Sequence, residues 1–252
     1  MNNIHAAPNR GDSVLAAFEE FDSRIRAWAL AQGCDERRFP VLIPAETLRL
    51  AEYEGAFPHL LMSAAVASDP AVPFEHPNVR LAPWFLSPAV CYHAYAALAG
   101  ATLAIPRLFT ARGSCFRSEE AAELAPGRRQ VEFEMRELIL VGPPPWIEER
   151  LAVLQPGVEA ITADCGLTTA AWQPASDPFF LPRALGKAHM QRLSGAKIEL
   201  CMPDGLAIAS INRHGRFFGE RFRIRTADGD CAHSACVAFG LDRWFSNLAP
   251  SL

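Results

Sequence analysis

The stretch GSCFRSEEAAELAPGRRQVEFEMRELILVG, residues 113–142, predicts two strands joined by a long loop. Side chains on a strand point to alternate faces at successive residues. Glu132, Glu134 and Arg136 therefore share one face of the second strand. Glu137 lies on the opposite face, which is otherwise apolar and carries Val131, Phe133, Met135 and Ile139. A buried carboxylate is costly unless its charge is compensated, so Glu137 requires a partner.

The composition is that of an ordinary globular protein. Of the 252 residues, 50% are hydrophobic and 21% are charged, which permits one large domain or two small ones. The net charge of −4 and an isoelectric point of about 6.0 give no reason to expect a nucleic-acid partner. The sequence has no apolar stretch long enough to span a bilayer, and its N-terminus lacks the basic and apolar regions of a signal peptide. We therefore expect a cytoplasmic protein.

Seven cysteines are dispersed along the chain without a C-x-x-C pair. This number and spacing differ from the disulfide framework of a small secreted domain. In a reducing compartment most of them are expected to be free buried thiols that pack as small hydrophobic groups. Some could ligate a metal, but their spacing alone does not select which.

The order of the predicted elements indicates an α+β fold. We expect a helix from Asp12, a short extended run before a helix that opens at residues 44–47, a helix around residues 91–98 and a long helix introduced by PPPW. Three strand-like segments follow, AKIELCM, LAIASINRH and RFRIRT, which are joined by the turns PDG and GRFFG. The tail CAHSACVAFGLDRWFSNL predicts a strand, a glycine turn and an amphipathic helix. This order predicts a mainly antiparallel sheet flanked by helices, with residues 1–38 as a helical extension and residues 39–252 as one compact domain.

Five residues of the hairpin and the tail form a candidate nucleotide site: Arg117, Glu119, Arg129, Phe133 and Arg243. A guanidinium binds phosphate oxygens through two parallel donors, and a phenyl ring offers a flat surface for a base. Arginines, a carboxylate and an aromatic ring on a sheet would suit a bent nucleoside triphosphate. Surface ion pairs around a hairpin would need the same residue types, and the spacing alone favours that simpler interpretation.

Three segments resemble the signature motifs of class II aminoacyl-tRNA synthetases. CFRSEE…RRQVEFEMRELILVG is similar to motif 2, ACVAFGLDRW to motif 3, and RFPVLIPAETLRLAEYEGAFPHLL to motif 1, which builds the dimer interface in that class. All three occur in the order of that class. Within the class, the chain most resembles the amino acid:carrier-protein ligases, which are similar to the catalytic core of the zinc-dependent archaeal type of seryl-tRNA synthetase. The resemblance implies the class II synthetase catalytic-core fold, with residues 39–252 as the catalytic domain.

The resemblance implies a zinc site made by Cys91, Glu137 and Cys236. Zn²⁺ takes thiolate and carboxylate ligands, and a catalytic zinc site keeps one position open. That position would take the amino group of a small amino acid beside ATP. Without the family, Glu137 could equally form a buried ion pair, with Arg117 or with a neighbour of Arg136, and the two cysteines could be ordinary core residues.

The resemblance also implies roles for the residues of the candidate nucleotide site. Arg117 would contact the α-phosphate of ATP and the carboxylate of the amino acid, and Glu119 would contact the adenine or the neighbouring arginine. Arg129 would serve the γ-phosphate and Phe133 the adenine ring. Arg243 would hold the β- and γ-phosphates from the opposite side.

Further candidate residues lie between motifs 2 and 3. Asp177 could accept a hydrogen bond from the ammonium group of the substrate, although an aspartate before a proline also opens ordinary turns. Ser210 and Asn212 would line the ATP pocket. Ala207 would also lie in that pocket, at the position where the family usually has a glutamate that binds Mg²⁺, and Glu199 is the candidate replacement.

The resemblance implies that ATP activates a small amino acid, such as glycine or alanine, as an aminoacyl-adenylate, and that the aminoacyl group passes to the phosphopantetheine thiol of a carrier protein. Mg²⁺, zinc and a homodimer are implied with it. We expect neither tRNA nor a membrane as a partner, because the chain is acidic and only a short segment precedes motif 1. Two alternatives stay open. One is an enzyme that supplies another acceptor, and the other is a catalytically silent binding or regulatory paralogue, which Ala207 would suit.

Overall fold

The computed structural model describes residues 12–67, 79–176 and 195–248, with side chains from residue 15 onward. Within these ranges a seven-stranded sheet forms the centre of the protein. Its strands are, in spatial order, β1 (Asp35–Glu36), β6 (Arg107–Phe116), β7 (Glu132–Gly142), β12 (His233–Gly240), β10 (Ala207–Gly215), β9 (Lys197–Cys201) and β8 (Ala171–Pro174). All neighbouring strands are antiparallel except β1 and β6, which are parallel. The prediction of a mainly antiparallel α+β fold is confirmed.

Two smaller sheets and seven helices complete the described part of the chain. One sheet has the order β2 (Leu42–Pro44), β4 (Val79–Leu86) and β3 (Ser63–Ala67), and the other pairs β5 (Thr102–Leu103) with β11 (Arg225–Thr226). The helices are α1 (Asp12–Ala31), α2 (Ala45–Leu50), α3 (Tyr53–Ala56), α4 (Cys91–Ala97), α5 (Pro144–Asp164), α6 (Phe217–Phe222) and α7 (Leu241–Leu248). None of these helices is long and apolar enough to cross a membrane.

The central sheet carries a separate core on each face. On one face, Leu138 and Leu140 of β7 pack with apolar side chains from α1, α5 and α7. On the other face, Ile139 and Val141 pack with side chains from α4 and α6. The predicted alternation along β7 is therefore correct, because successive residues of this strand serve different cores.

The segment RFRIRT, residues 221–226, is not the strand that its alternation predicted, and GRFFG is not a turn. Helix α6 takes up the last three residues of GRFFG and the first two of RFRIRT, and only β11 is extended, beside β5 and outside the central sheet. Phe218 and Phe222 lie on one side of α6, where both rings contact Tyr95 of α4. The helix ends where Arg223 takes a left-handed conformation with φ of 55°. Packing against α4 thus outweighs the local alternation.

Two arginines of the sheet attach α1. Arg136 of β7 donates two hydrogen bonds to the carboxylate of Asp22, at 2.6 and 2.7 Å, and both side chains are buried. Arg112 of β6 donates two hydrogen bonds to Glu19, at 2.7 and 2.9 Å, and one to Glu134 on β7, at 2.8 Å. Helix α1 therefore packs on the same core as the sheet, while the predicted domain boundary after residue 38 stays a prediction.

Replacing Asp22 with alanine should lower the free energy of unfolding by about 3–5 kcal/mol, because Arg136 would keep its buried charge and lose its partner. Urea denaturation of the purified protein measures this change. Glu20→Ala, on the same helix, is the matched control, since the Glu20–Arg24 pair is exposed and its loss should barely move the midpoint. Equal destabilisation by the two variants would show that the buried pair is not what holds α1.

Candidate active site

A cleft of about 990 Å³ opens on the face of the sheet that carries α4 and α6. Its walls come from β7, β9, β10 and β12, from the start of α7, and from the hairpin segment between β6 and β7. The residues predicted from the sequence that line it are Cys91, Arg117, Glu119, Arg129, Phe133, Glu137, Glu199, Ala207, Ser210, Asn212, Cys236 and Arg243. Asp177 lies outside the described residues, so its predicted role stays a prediction.

Cys91, Glu137 and Cys236 meet in this cleft. Cys91 is the first residue of α4, Glu137 lies in β7, and Cys236 lies in the adjacent strand β12. Two sulfurs and a carboxylate oxygen lie within 4.8 Å of one another, and all three residues are buried. Among the described residues, this is the group of histidine, cysteine and acidic side chains that could hold a metal ion.

The carboxylate of Glu137 has one oxygen satisfied and one without a partner. Its Oε1 accepts a hydrogen bond of 3.0 Å from the backbone N–H of Val90, while Oε2 is buried with no hydrogen-bond partner. Within the part of the chain that the structure describes, no ion pair of Glu137 is found: Arg136 lies on the opposite face of β7, and Arg117 donates to the carbonyl of Pro88. A buried carboxylate oxygen without a partner beside two thiols is a donor set that suits Zn²⁺.

The protonation states of the cluster depend on burial and on the contact between the two sulfurs. Burial raises the pKa of Glu137 to about 8. The hydrogen bond between the sulfurs raises the pKa of Cys91 well above its ordinary value and lowers that of Cys236 well below it, while burial opposes the second shift. Cys236 is therefore the more acidic of the two thiols. A bound cation would displace the remaining protons, because metal ligands bind in their deprotonated form.

The surroundings of Cys236 include residues that the sequence analysis missed. His214, near the end of β10, places Nε2 at 3.9 Å from the Cys236 sulfur, and the Asn212 amide nitrogen lies 3.5 Å from the same atom. Tyr95 of α4 also reaches the histidine, with its hydroxyl 3.3 Å from Nδ1. The two-residue spacing from Ser210 and Asn212 to His214 was the signal in the sequence, since it places all three on one face of a regular strand.

Arg117 lies directly after strand β6, which ends at Phe116 and does not continue to Glu119. Its Nε and Nη2 both donate to the carbonyl of Pro88, at 3.2 Å. Its guanidinium carbon lies 4.9 Å from the centre of the Phe133 ring, which is a cation–π contact. The arginine and the ring predicted to bind ATP therefore form one wall of the cleft together.

Glu119 and Arg129 face each other across the hairpin segment. The carboxylate of Glu119 lies 3.4 Å from the guanidinium of Arg129, and only 5% of the Glu119 side chain is exposed. Burial raises the pKa of Glu119. Arg129 also pairs with Glu123 in the same segment. One guanidinium is thus shared between a buried carboxylate and an exposed one.

The hairpin loop is attached to α7. Arg243 of α7 donates from Nε to the carbonyl of Arg128, at 2.7 Å, and from Nη1 to the carbonyl of Ala207 on β10, at 2.9 Å. Gly127 has φ of 69° and lies so close to α7 that a Cβ there would overlap the Ser246 side chain. The loop of motif 2 and the helix of motif 3 are therefore held together across the cleft.

Three guanidinium groups converge on the cleft, from Arg117, Arg129 and Arg243. Burial lowers the pKa of Arg243, and the positive charges of the other two arginines lower it further. Positive charges that face one another in a cleft favour the binding of an anion between them. Phosphate oxygens are the ligands that arginines bind most specifically.

The wall made by β9 and β10 carries one of the candidate Mg²⁺ ligands. Ser210 of β10 lies opposite Glu199 of β9 in the antiparallel register, so their side chains are neighbours on one face. Lys197 lies 3.0 Å from the Glu199 carboxylate. Ala207 contributes its backbone carbonyl, which accepts from Arg243, and has no carboxylate.

Comparison with solved structures identifies the class of fold. No protein-family model matches the sequence. The fold is similar to that of M. kandleri SerRS in its crystal structure with A. aeolicus tRNASec, with a TM-score of 0.75, 21% sequence identity and 97% of this chain covered. The chain spans 54% of the length of that protein. The fold is thus that of a class II aminoacyl-tRNA synthetase catalytic core, as the motifs predicted.

Two curated relatives from Bradyrhizobium diazoefficiens identify the family. "Amino acid--[acyl-carrier-protein] ligase 1" is 31% identical over an alignment of 251 residues. The match covers 90% of this chain and 76% of the relative. "Amino acid--[acyl-carrier-protein] ligase 2" is 32% identical over an alignment of 228 residues. The match covers 82% of this chain and 66% of the relative. The chain belongs to this family of synthetase-like ligases, the amino acid–acyl-carrier-protein ligases.

Replacing Glu137 with glutamine should affect the stability of the protein differently in the absence and in the presence of zinc. In chelator-treated protein the variant should be at least as stable as the wild type, because it can still accept from Val90 and stays neutral at every pH, whereas burial of the ionised carboxylate is unfavourable and raises the pKa of Glu137 to about 8. Zinc at about 100 times its dissociation constant should add about 2.7 kcal/mol to the stability of the wild type and much less to that of the variant. Urea denaturation with and without zinc measures both values.

Glu199→Gln is the matched control for this experiment, because it removes a carboxylate from the same cleft but outside the cluster. Its stabilisation by zinc should equal that of the wild type. A stabilisation by zinc that survives Glu137→Gln unchanged would contradict the assignment of Glu137 as a ligand.

Proposed function

We propose that the protein activates a small amino acid with ATP and transfers the aminoacyl group to the phosphopantetheine thiol of a carrier protein. A carboxylate oxygen of the amino acid attacks the α-phosphorus, and pyrophosphate leaves, which gives an aminoacyl-adenylate. The carrier thiol then attacks the acyl carbon, and AMP leaves as the thioester forms. One observation carries this proposal: a buried thiol–carboxylate cluster and three converging guanidinium groups line one cleft in a chain of this ligase family.

Cys91, Glu137 and Cys236 are proposed to hold Zn²⁺. Two sulfurs and a carboxylate oxygen fit the ligand preference of this ion, and the unpartnered Oε2 of Glu137 would gain a partner. Zinc with an open position would supply a Lewis-acid site for the amino group of the substrate. Asp177 remains a predicted contact of that amino group.

The three arginines are proposed to bind and orient the phosphates of ATP. Arg117 would contact the α-phosphate and the carboxylate of the amino acid, Arg129 the γ-phosphate, and Arg243 the β- and γ-phosphates. Positive charges held in place before the reaction neutralise the charge that develops on the phosphate oxygens. No protein nucleophile is needed, because the carboxylate of the substrate attacks ATP directly.

Other residues of the cleft are proposed to bind the base and the magnesium ion. The adenine would lie against Phe133, and Glu119 would contact the adenine or its arginine partner. Ser210 and Asn212 line the same cleft and would contact ATP. Glu199 is proposed as the acidic ligand of Mg²⁺, in place of the glutamate that the family usually has at the position of Ala207.

The substrate is proposed to be a small amino acid such as glycine or alanine. Phe218 lines the cleft and stacks on Tyr95, with ring centres 4.2 Å apart, so bulky rings stand close to the cluster. An apolar pocket distinguishes substrates that differ by one methylene by only about 1–3 kcal/mol. An assay with a panel of small amino acids therefore identifies which of them is the substrate.

The enzyme is proposed to be cytoplasmic and to use a carrier protein in preference to tRNA. All seven cysteines are free thiols, as is usual in a reducing compartment. The net charge of −4 offers little attraction to a polyanion such as tRNA. Both curated relatives are named for an acyl-carrier-protein acceptor.

Exchange of pyrophosphate into ATP, measured with a panel of amino acids, tests the activation step. The wild type should exchange with small amino acids, and Cys236→Ser should abolish exchange because the metal would lose a ligand. Arg243→Ala should lower kcat/KM by about 100-fold or more. Arg213→Ala is the matched control, since this side chain lines the cleft but pairs with Glu148 at 3.2 Å, and it should exchange like the wild type.

The acceptor is tested in the same preparation with a radiolabelled amino acid and either holo carrier protein or tRNA. Label on the carrier protein is expected, and label on tRNA would contradict the choice of acceptor. Normal exchange without transfer to either acceptor would favour the second candidate, a ligase-like enzyme that supplies another acceptor. Absence of exchange with every amino acid would favour a silent binding or regulatory paralogue, the candidate that Ala207 supports.

A homodimer is proposed to form through the three-stranded sheet of β2, β4 and β3. Four apolar side chains on or beside β2 and β4 are exposed: Val41, Leu42, Leu81 and Trp84. The first two belong to the segment that resembles motif 1. Exposed apolar side chains that cluster on a small sheet are typical of an interface between proteins.

Leu81→Asp should convert the proposed dimer to a monomer, because the side chain is 71% exposed in one subunit and the new charge would be buried in the interface. Analytical ultracentrifugation measures the mass. Ile105→Asp is the matched control, since Ile105 is 61% exposed and lies outside that sheet, and it should remain dimeric. A monomeric wild type would contradict the proposed dimer.

A further inference from the structure

The imidazole of His214 lies between the thiol–carboxylate cluster and two hydroxyl groups. Its Nε2 is 3.9 Å from Sγ of Cys236. Its Nδ1 is 3.3 Å from the hydroxyl of Tyr95 and 3.3 Å from the hydroxyl of Ser234. Neither the proposed ligand set nor the proposed chemistry uses this histidine, although it lines the cleft.

His214 lies at an irregularity in the pairing of β10 with β12. Arg213 lies opposite Ala235 of β12, and Gly215 lies opposite Ser234, so His214 has no residue of β12 opposite to it. An extra residue of this kind is a β-bulge, which changes the direction of a side chain relative to the regular strand. In a regular register His214 would lie directly opposite Ser234; with the bulge Gly215 takes that paired position, and the imidazole still lies within 3.3 Å of the Ser234 hydroxyl.

Aromatic neighbours fix the orientation of the imidazole ring. Phe218 meets it edge-on, with ring centres 4.8 Å apart and an angle of 68°, and Tyr95 meets it at 5.9 Å and 78°. Tyr95 is fully buried and lies one helical turn after Cys91 in α4. The helix that carries one cysteine of the cluster thus also carries the tyrosine that contacts the histidine.

The hydrogen-bond partners favour one tautomer of the imidazole. A hydroxyl of Tyr95 or Ser234 can donate to Nδ1, and Nε2 then carries the hydrogen and directs it at Cys236. The Asn212 amide, at 3.5 Å, is a second N–H donor to the same sulfur. The ring nitrogens of His214 do not belong to the group of atoms within 4.8 Å of one another, so the histidine contacts a ligand and is not placed as a ligand itself.

We propose that His214 is a positioning residue for the metal site, whose Nε2–H orients the Cys236 sulfur and sets its strength as a donor to the ion. Tyr95 and Ser234 hold the tautomer that this requires. The inference rests on the proposed zinc site. Groups that hydrogen-bond to metal ligands typically change metal affinity by about 10–100-fold when they are removed.

The first test measures zinc affinity by competition with a chromophoric chelator. His214→Asn removes the donor at the position of Nε2 and should weaken zinc binding by about 10–100-fold. His214→Gln has a longer side chain whose amide nitrogen reaches that position, so it should restore most of the affinity. His233→Asn is the matched control, because His233 lies on the opposite face of β12 from Cys236, and it should bind zinc like the wild type.

The second test is the absorption spectrum of the cobalt(II)-substituted protein, which a merely structural role would not change. Loss of the N–H···S hydrogen bond raises the energy of the sulfur lone pairs. The thiolate-to-cobalt charge-transfer band should therefore move to longer wavelength in His214→Asn. The d–d bands should stay as they are in the wild type, because the ligand set is unchanged. Altered d–d bands would identify His214 as a ligand and overturn the proposal.

Two outcomes separate failure of this inference from failure of the proposed function. Stoichiometric zinc in the wild type that is lost in Cys236→Ser, together with unchanged zinc affinity and an unchanged charge-transfer band in His214→Asn, would overturn the role of His214 and leave the proposed function standing. Absence of zinc from the carefully purified wild type would instead overturn the proposed metal site, and the role of His214 with it.

Discussion

The burial of the Glu137 carboxylate beside two thiols is the constraint on which the rest of the site depends. The apolar residues that follow it in β7 fill the cores on both faces of the sheet, and a shift of one residue would exchange the two sets of side chains. Glu137 therefore cannot leave the interior by a small change of register. Only one of its oxygens has a hydrogen-bond partner. The burial of this carboxylate is unfavourable for stability, and a role in binding or catalysis is the explanation that best fits its surroundings.

Neighbouring residues of β7 resolve the same electrostatic problem in two different ways. Arg136 is buried on the α1 side of the sheet, where Asp22 supplies the opposite charge with two short hydrogen bonds. Glu137 is buried on the other side, where its neighbours are two thiols, which supply no opposite charge. The pair of Arg136 and Asp22 has both charges within the protein, and it attaches helix α1 to the sheet. The second arrangement, around Glu137, would be completed by the cation that we propose, and this difference separates a structural ion pair from a candidate binding site.

The sequence predicted the fold well and the surroundings of the site poorly, for identifiable reasons. The alternation in β7 is a local signal, and it was correct because each face of that strand is buried. Cys91 and Cys236 could be selected among seven cysteines only through the resemblance to a family, since spacing does not reveal which distant segments meet. RFRIRT was wrongly predicted to be a strand. The helix that forms there instead is stabilised by contacts of Phe218 with α4, which is distant in sequence and therefore invisible to a local pattern. His214 was missed because its contact with a sulfur depends on the pairing of two strands, which the local sequence does not reveal.

The position of β12 in the sheet has a consequence for the order of folding. This strand is the last described strand in the chain, yet it lies between β7 and β10, both of which precede it. Pairings between distant segments close large loops and form slowly. In a zinc finger, ligands that are close in sequence allow the ion to drive folding from the start. Here Cys236, the third of the proposed ligands, arrives only when β12 has inserted, so the proposed ion would be captured late in folding.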